Sequence, residues 1–389
     1  MKITFFLGRV HHAIKLLPVV VGLDERRHDV SILVADNSIN IDPATEYLHT
    51  YGINEFFHSK DFLTSDLVEQ SREETLATIS SAGPDAFLPY TSPVWISRSI
   101  RDAIYEYHAF NSFLNEHQPH VVFGLHENNF WVKLLFYLAK RKSIRTCSLM
   151  EGIILEREEQ DLGKYSIGTD YTDTLFSWSE HDKQYYNDPH KIIPVGPSHL
   201  DEWIRITARP NYGEIVLNLK IRFGMPLDKP VVLFAPPRLD LYRGDPINAI
   251  RKLRDFCQFN NLHFVVKAHP FQGAIPSNLG VQVFNDDDAA PFILVSDIVV
   301  TQTSTIALEA IALKKPVVEL DLDYYGIEQP LWKNGAATLV ENNLMKIKDV
   351  VYTPIEDRNF DFLSERLPLA DGQSVKRICD NIEGSFWIK

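Results

Sequence analysis

Cysteine, a basic surplus and long apolar runs are all scarce in this chain of 389 residues, and each scarcity removes a class of protein. The three cysteines, Cys147, Cys257 and Cys379, stand far apart, without metal-ligand spacing or the density of a disulfide framework. A reducing cytoplasm is therefore the expected home. Lys and Arg total 39 against 52 Asp and Glu, a net charge of −13. That balance argues against a general nucleic-acid-binding surface and gives no support to a polybasic membrane anchor, although a basic pocket for one phosphate is invisible in the sum. No stretch approaches the ~18 to 20 uninterrupted apolar residues that cross a bilayer, because Lys, Asp or Pro interrupts each candidate. The opening MKITFFLGRVHH breaks at Gly8 and Arg9 and shows neither an h-region nor a small-residue cleavage site. A soluble protein without secretion signal or transmembrane segment is expected, with peripheral association at the inner face of a membrane left open.

Apolar filling, by contrast, is ample at 45% of residues, and a chain of this length exceeds one ordinary core and fits two domains. Short apolar runs alternate with amphipathic stretches throughout, the pattern of βα units around parallel sheets. A first series runs KITFFLG, an amphipathic stretch from His12 to Arg26, DVSILVAD, HVVFGL, RTCSLMEG, TLFSWS and IIPVG. After His199 comes a polar connection, DEWIRITARPNYGE, and then a second series: PVVLFAP, an amphipathic stretch at 245–259, HFVVKAH, VQVFND, DIVVTQ, a helix from about 303, and PVVELD. The expected fold is α/β, with two Rossmann-like doubly wound domains, residues 1–205 and 206–375, facing a central cleft. Ligands of such sheets bind at the C-terminal ends of the strands. Residues 56–118 read as helical and aromatic insertions on the first sheet, in an order the pattern does not give.

In SDIVVTQTSTIALEAIALKKPVVELD a strand ends at Thr301 and a helix begins within Gln302 to Thr305. Gln302, Thr303, Ser304 and Thr305 bring hydroxyls and free amides to a helix N-terminus, where an anion gains roughly 0.3 to 1 kcal/mol. A nucleotide phosphate suits that position. Glu309, about one turn further on, is a candidate acceptor for ribose hydroxyls of the same nucleotide. The plainer alternative is an ordinary helix cap followed by a solvated carboxylate.

In KAHPFQG an apolar strand ends in Lys267, His269 and Pro270. His269, whose ring changes charge near neutral pH, is a candidate to hydrogen-bond or protonate a leaving phosphate, with Pro270 fixing the turn that aims it. Alone, the dipeptide suits strand-end capping equally well. Placed on adjacent strands of one sheet, the two segments together point to a donor-phosphate site. Arg238, in PPRLD after the first strand of the second domain, is either a bidentate phosphate ligand or a surface arginine. The acidic run Asp286 to Asp288 reads as a solvated turn, and the arrangement requires neither metal nor cofactor.

These residues resemble the His-Pro and Ser-Ser/Thr motifs of bacterial sialyltransferases, capsular Kdo transferases and related polymer-forming transferases of the GT-B class. The resemblance touches residues 145–385. It implies a metal-independent glycosyltransferase of bacterial cell-surface polysaccharide or glycolipid synthesis, with a CMP- or CDP-linked sugar or polyol donor and a carbohydrate or lipid-linked acceptor. By the same resemblance His269 acts on the donor phosphate, Ser304 and Thr305 hold it, and Glu309 matches a ribose-binding glutamate. The acidic-acidic-Gly base motif of such enzymes is represented by Met150, Glu151 and Gly152, with one acid missing. Glu151 is thus the candidate general base, and Glu127 in LHENN its competitor. LADGQSVKRICDNIE resembles the last helices of GT-B proteins, which implies that residues 376–389 cross back onto the first domain.

DTLFSWSEHDKQYYNDPHKIIPVGPSHLDEW resembles surface-polysaccharide transferases and UDP-N-acetylglucosamine 2-epimerases alike, so a UDP-sugar enzyme of the same fold is an alternative. Against an epimerase stands the absence of its Ser-Gly-Gly loop and His-x-Asn-Pro strand end; TSTIALEA is closer to lipid A disaccharide synthase. From another class, a nucleotide-binding subunit without turnover is favoured by the missing acid.

Overall fold

The computed structural model describes residues 1–8, 10–35, 48–82, 93–127, 129–152, 169–237, 244–269, 275–285, 288–302, 304–322, 331–353 and 366–384. Their strands form two sheets, paired in parallel throughout. The first contains β1 (Lys2–Leu7), β2 (Asp29–Val34), β3 (Phe56–His58), β4 (Val121–Leu125), β5 (Arg145–Leu149), β6 (Thr174–Ser177) and β7 (Ile192–Pro194), in the order β3-β2-β1-β4-β5-β6-β7. The second contains β8 (Val231–Phe234), β9 (His263–Lys267), β10 (Gln282–Phe284), β11 (Ile298–Thr301), β12 (Val317–Leu320) and β13 (Thr338–Val340), in the order β10-β9-β8-β11-β12-β13. In each sheet the chain reverses direction beside its first strand, between β1 and β4 and between β8 and β11. Such a reversal opens a crevice at the strands' C-terminal ends.

The central strands are buried on both faces because helices cover both: every residue of β4, β8, β11 and β12 is buried, Glu319 of β12 included, whose carboxyl accepts from the Leu331 and Trp332 amides at 3.1 and 2.9 Å. The first helix, Val10–Glu25, contains Pro18, which lacks an N–H and cannot complete the ladder. Its buried face of Ala13, Leu16, Leu17, Val20 and Leu23 packs with the β1 side chains and carries the helix through that defect. Helix Pro246–Phe259 starts more conventionally: Asp245 accepts from the amides of Ile247 and Asn248 at 2.9 and 3.0 Å, and proline takes the first turn.

Two strands escape the sequence pattern. β3 and β13 are three-residue edge strands, mostly half-buried, that the apolar pattern does not mark. The order of strands also corrects an expectation: β9 and β11 are not adjacent, since β8 pairs with both and lies between them. The region at 56–118 proves to hold β3 and two long helices, Ser65–Ala82 and Pro93–His117, with Phe57, Phe62, Phe113 and His117 gathered in one aromatic cluster.

Helices Asp201–Thr207 and Tyr212–Arg222 connect the sheets. A last helix, Ser374–Gly384, packs on the first one, and it begins two residues before the segment expected to cross back. Its Ile378, Cys379 and Ile382 join the core of the first sheet. Gly22 permits the approach, because a Cβ there would stand 2.6 Å from Val375 Cγ1. Arg26 pairs with Asp380 and Glu383, each at 2.8 Å, and Asp201 accepts from the Val375 amide at 2.7 Å, capping the helix start. No helix among the described residues is long and apolar enough to cross a membrane.

Candidate active site at the interdomain cleft

At the C-terminal edge of the second sheet, three neighbouring strands end side by side. His269 follows β9 and is half-buried; Ser304 and Thr305 follow β11. The end of β8 between them is tied to β11, with Thr301 Oγ1 donating to the Ala235 carbonyl at 2.6 Å and the Ala235 amide to Val300 at 2.9 Å. Lys267 is buried and donates to the Ala268 carbonyl at 2.8 Å, and Gln302, after β11, is buried as well. The helix after β11 runs Ile306–Ala312, slightly later than the sequence suggests; Ser304 Oγ accepts from the Ile306 amide at 3.4 Å. Arg238, Pro270 and Thr303 lie outside the described residues.

Glu309 occupies the first turn of that helix but is no solvated carboxylate, being 6% exposed. Its Oε1 receives Lys15 Nζ of the first helix at 2.5 Å and meets His199 Nε2 at 3.0 Å, while Lys15 Nζ stands 2.7 Å from the same Nε2. Which Nε2 contact is the hydrogen bond depends on the ring's tautomer. Burial opposes ionisation of Glu309, yet Lys15 and His199 together hold its carboxyl well below the usual carboxylate range. Burial and the neighbouring ammonium push His199 down to about 4, so the ring is neutral at physiological pH. Trp178 packs at 5.4 Å between ring centroids from His199.

Of the acidic run, Asp286 and Asp287 lie outside the described residues, and Asp288 corrects the reading of a solvated turn. Its Oδ1 accepts from the Ala290 amide at 3.0 Å, at the start of helix Ala290–Val295. Burial, reinforced by the charge of Glu309, pushes its carboxyl up to about 6. Beside this cluster a cavity of about 710 Å³ opens between the first helix, helix Asp201–Thr207 and the last helix, with His199 and Asp288 in its wall. The donor-motif residues His269, Ser304 and Thr305 do not line it.

The first sheet presents its own edge to the cleft. Glu151 follows β5, His126 follows β4, and His126 Nε2 lies 2.9 Å from Glu151 Oε2. His126 Nδ1 is buried and has no hydrogen-bond partner among the described residues. The competitor, Glu127, is 1% exposed and fully engaged: its oxygens accept from the Tyr171 amide at 2.9 Å, the Thr172 amide at 2.9 Å and Thr172 Oγ1 at 2.7 Å. It holds the chain entering β6, which removes it as a base. The loop carrying Glu151 is fixed from both sides, by Trp178 Nε1 on the Met150 carbonyl at 3.2 Å and by the Met150 amide on Phe176 at 2.9 Å. Gly152 then meets the opposite domain, where a Cβ would stand 2.6 Å from Thr305 Cγ2.

Sequence reasoning named Glu151, His269, Ser304, Thr305 and Glu309 but missed His126, Lys15 and His199. His126 carries the same signal as His269, a histidine closing a buried strand at the sheet edge. Lys15 and His199 carry no local signal, since they reach Glu309 across 294 and 110 residues of chain.

Known proteins share this architecture. The UDP-GlcNAc 2-epimerase of Neisseria meningitidis, solved with UDP-GlcNAc, aligns over 99% of this chain and 100% of its own with a TM-score of 0.60 at 15% identity. The wall teichoic acid polymerase TagF, solved as a histidine-to-asparagine variant soaked with CDPG, aligns over 99% of this chain and 88% of its own with a TM-score of 0.63 at 13% identity. At these identities the likeness is one of fold, the GT-B arrangement of two facing Rossmann-like domains. By sequence, the teichoic acid glycerol-phosphate transferase of Staphylococcus aureus is 26% identical over 232 residues, covering 53% of this chain and 58% of that protein. The chain thus spans little more than half the length of that relative. A family model described as CDP-Glycerol:Poly(glycerophosphate) glycerophosphotransferase matches residues 171–384, more than half of the chain, from the start of β6 through the last helix. On that match, the chain belongs to the CDP-glycerol:poly(glycerophosphate) glycerophosphotransferase family.

Proposed function

We propose that this protein transfers glycerol phosphate, or a closely related polyol phosphate, from a cytidine diphosphate-activated donor to a hydroxyl of a growing cell-surface polymer. The observation that carries the reading is the contact of Gly152 with Thr305: it sets the Ser304–Thr305 turn beside the loop that bears Glu151 and its partner His126. A phosphorus held on the turn would thereby face a proton acceptor from the opposite domain. Family membership supports the polyol phosphate, and the CDPG soaked into TagF supports the cytidine base. Reaction at phosphorus then replaces the sugar-carbon displacement of a sialyltransferase or Kdo transferase.

In this mechanism the acceptor oxygen bonds to the β-phosphorus of the donor, and the bond from that phosphorus to the bridging diphosphate oxygen breaks, so CMP leaves. The His126–Glu151 pair takes the hydroxyl proton as one unit: the half-exposed Glu151 carboxylate accepts it, and the His126 ring, whose Nε2 meets Oε2, orients that carboxylate. Glu151 is the proton acceptor here, with His126 as its positioning partner. His269, Ser304 and Thr305 stabilise the charge on the departing phosphate, Lys267 and Gln302 shape the edge around it, and Glu309 receives the ribose; Arg238, Pro270 and Thr303 are assigned to the same donor from sequence alone. No step requires a metal. A lipid-linked acceptor would bring the protein to the inner face of the membrane.

Acceptor-dependent CMP release from CDP-glycerol, measured beside consumption of UDP-N-acetylglucosamine, tests the proposal. The expected result is CDP-glycerol turnover that falls roughly 10²- to 10⁴-fold in His269→Ala and in His126→Ala. Turnover of the UDP-sugar instead would make the protein a UDP-sugar enzyme, and nucleotide binding without turnover of either would make it a binding subunit.

A further inference from the structure

Glu309 is the carboxylate on which the donor reading rests its ribose contact, and the structure joins it to a residue of the other domain. Oε1 carries both the Lys15 contact at 2.5 Å and the His199 contact at 3.0 Å. With one oxygen fixed by two neighbours, rotation about the last side-chain bond is removed and the direction of Oε2 is set. The ion pair is largely out of water, the side chains being 17% and 8% exposed. Burying such a pair costs desolvation that its Coulomb attraction seldom exceeds, so stability alone is a weak reason for it. A geometric reason is stronger: Lys15 projects from the first helix and Glu309 from the helix after β11, so the carboxylate is aimed only while the two domains keep this arrangement.

We propose that Lys15 is a positioning residue of the donor site, holding the Glu309 carboxylate so that Oε2 meets the vicinal ribose hydroxyls of a nucleoside diphosphate. The inference rests on the donor-site reading of Glu309. It adds a first-domain residue to nucleotide recognition, which the motifs confine to the second domain.

Dissociation constants for CDP and for 2′,3′-dideoxy-CDP, measured by calorimetry on the full chain, test it. The wild type should prefer CDP roughly 10- to 100-fold, the worth of hydrogen bonds to a charged group. Lys15→Met should lose most of that preference while its affinity for the dideoxy nucleotide changes less than about threefold, a split that general loss of structure does not produce. Should Lys15→Met fail to fold, Lys15→Arg serves, because its planar fork cannot reproduce a single ammonium between Oε1 and Nε2, and its preference should fall at least about threefold. A preference that Glu309→Gln abolishes but both Lys15 variants retain overturns the positioning role. A wild type without preference, or a preference untouched by Glu309→Gln, overturns the ribose reading of Glu309 itself.

Discussion

The two edges of the cleft are built in different ways. On the second sheet the candidate groups are packed into short segments, KAHP after β9 and QTST after β11, so each strand end delivers its own chemistry. On the first sheet the pair His126–Glu151 is assembled from two loops 25 residues apart, of which only the second carries a motif, the incomplete Met150-Glu151-Gly152. Under the proposed function, the difference follows from what each edge has to do. A phosphate is a compact anion that a single turn of amides and hydroxyls can surround, whereas removing a proton from a hydroxyl takes a base and a second group to orient it. A donor edge is therefore legible locally, whereas the pairing at an acceptor edge appears only in space.

The comparison breaks most sharply in activity. Removing His269 from one edge or His126 from the other should each lower acceptor-dependent CMP release roughly 10²- to 10⁴-fold. The edges should part in nucleotide binding: calorimetry is expected to show weakened CDP affinity in His269→Ala and unchanged affinity in His126→Ala. Equal weakening in both would erase the division of labour between the edges. Next in size is the contact that joins them. Gly152→Ala inserts a Cβ 2.6 Å from Thr305 Cγ2 and should lower kcat/KM up to about 100-fold by displacing one edge against the other. Thr305→Ser removes that methyl, so the double variant should recover part of the loss; a strictly additive cycle would show that the contact does not transmit the effect.

How much was legible follows the same division. β1, β2, β4 to β12 and the two-sheet architecture stand out because a buried parallel strand is a bounded apolar run. β3 and β13 do not; each is an edge strand of three residues, and only β10 among the half-buried short edges is marked out, by the alternating VQVF and the polar NDDD after it. Strand order is a property of crossovers, so β8 could separate β9 from β11 without leaving a mark in either segment. His269, Ser304 and Thr305 stand out by local chemistry, and Glu151 only through the resemblance of Met150-Glu151-Gly152 to a base motif. The burial of Glu309 by Lys15 depends on the two domains meeting, and periodicity along the chain contains nothing of that.

Two smaller effects sharpen the contrast between carboxylates and histidines that look alike in sequence. Glu127→Gln exchanges a carboxylate saturated by three donors for an amide with one acceptor oxygen, and should cost about 1 to 3 kcal/mol of unfolding free energy in denaturant titration. Glu151→Gln, at a side chain 38% exposed, should leave that free energy nearly unchanged and lower turnover instead. Reversal of this pattern would return Glu127 to candidacy as the base.

The smallest effect separates His199 from the other histidines. Its folded-state value of about 4 lies below the ordinary 6.5, because burial and Lys15 oppose a second positive charge. Below pH 6.5 the unfolded chain therefore takes up a proton that the folded chain refuses until about pH 4, so this ring's contribution to stability is complete above 6.5 and is lost as pH falls through that window. Glu309, whose carboxyl is depressed, loses its contribution lower still, beginning below its ordinary 4.5. Glu319 works in the opposite sense: burial raises it to about 7, and its contribution is present at low pH and lost as pH rises from 4.5. Comparing the wild type with His199→Gln cancels Glu319 and isolates the ring. The melting temperature of the variant should fall less steeply than that of the wild type between pH 6.5 and 4, with the two curves parallel above 6.5. Parallel curves throughout would mean that His199 accepts its proton in the folded state as readily as in the unfolded one, and that the cluster around Glu309 opens to solvent well before the protein unfolds.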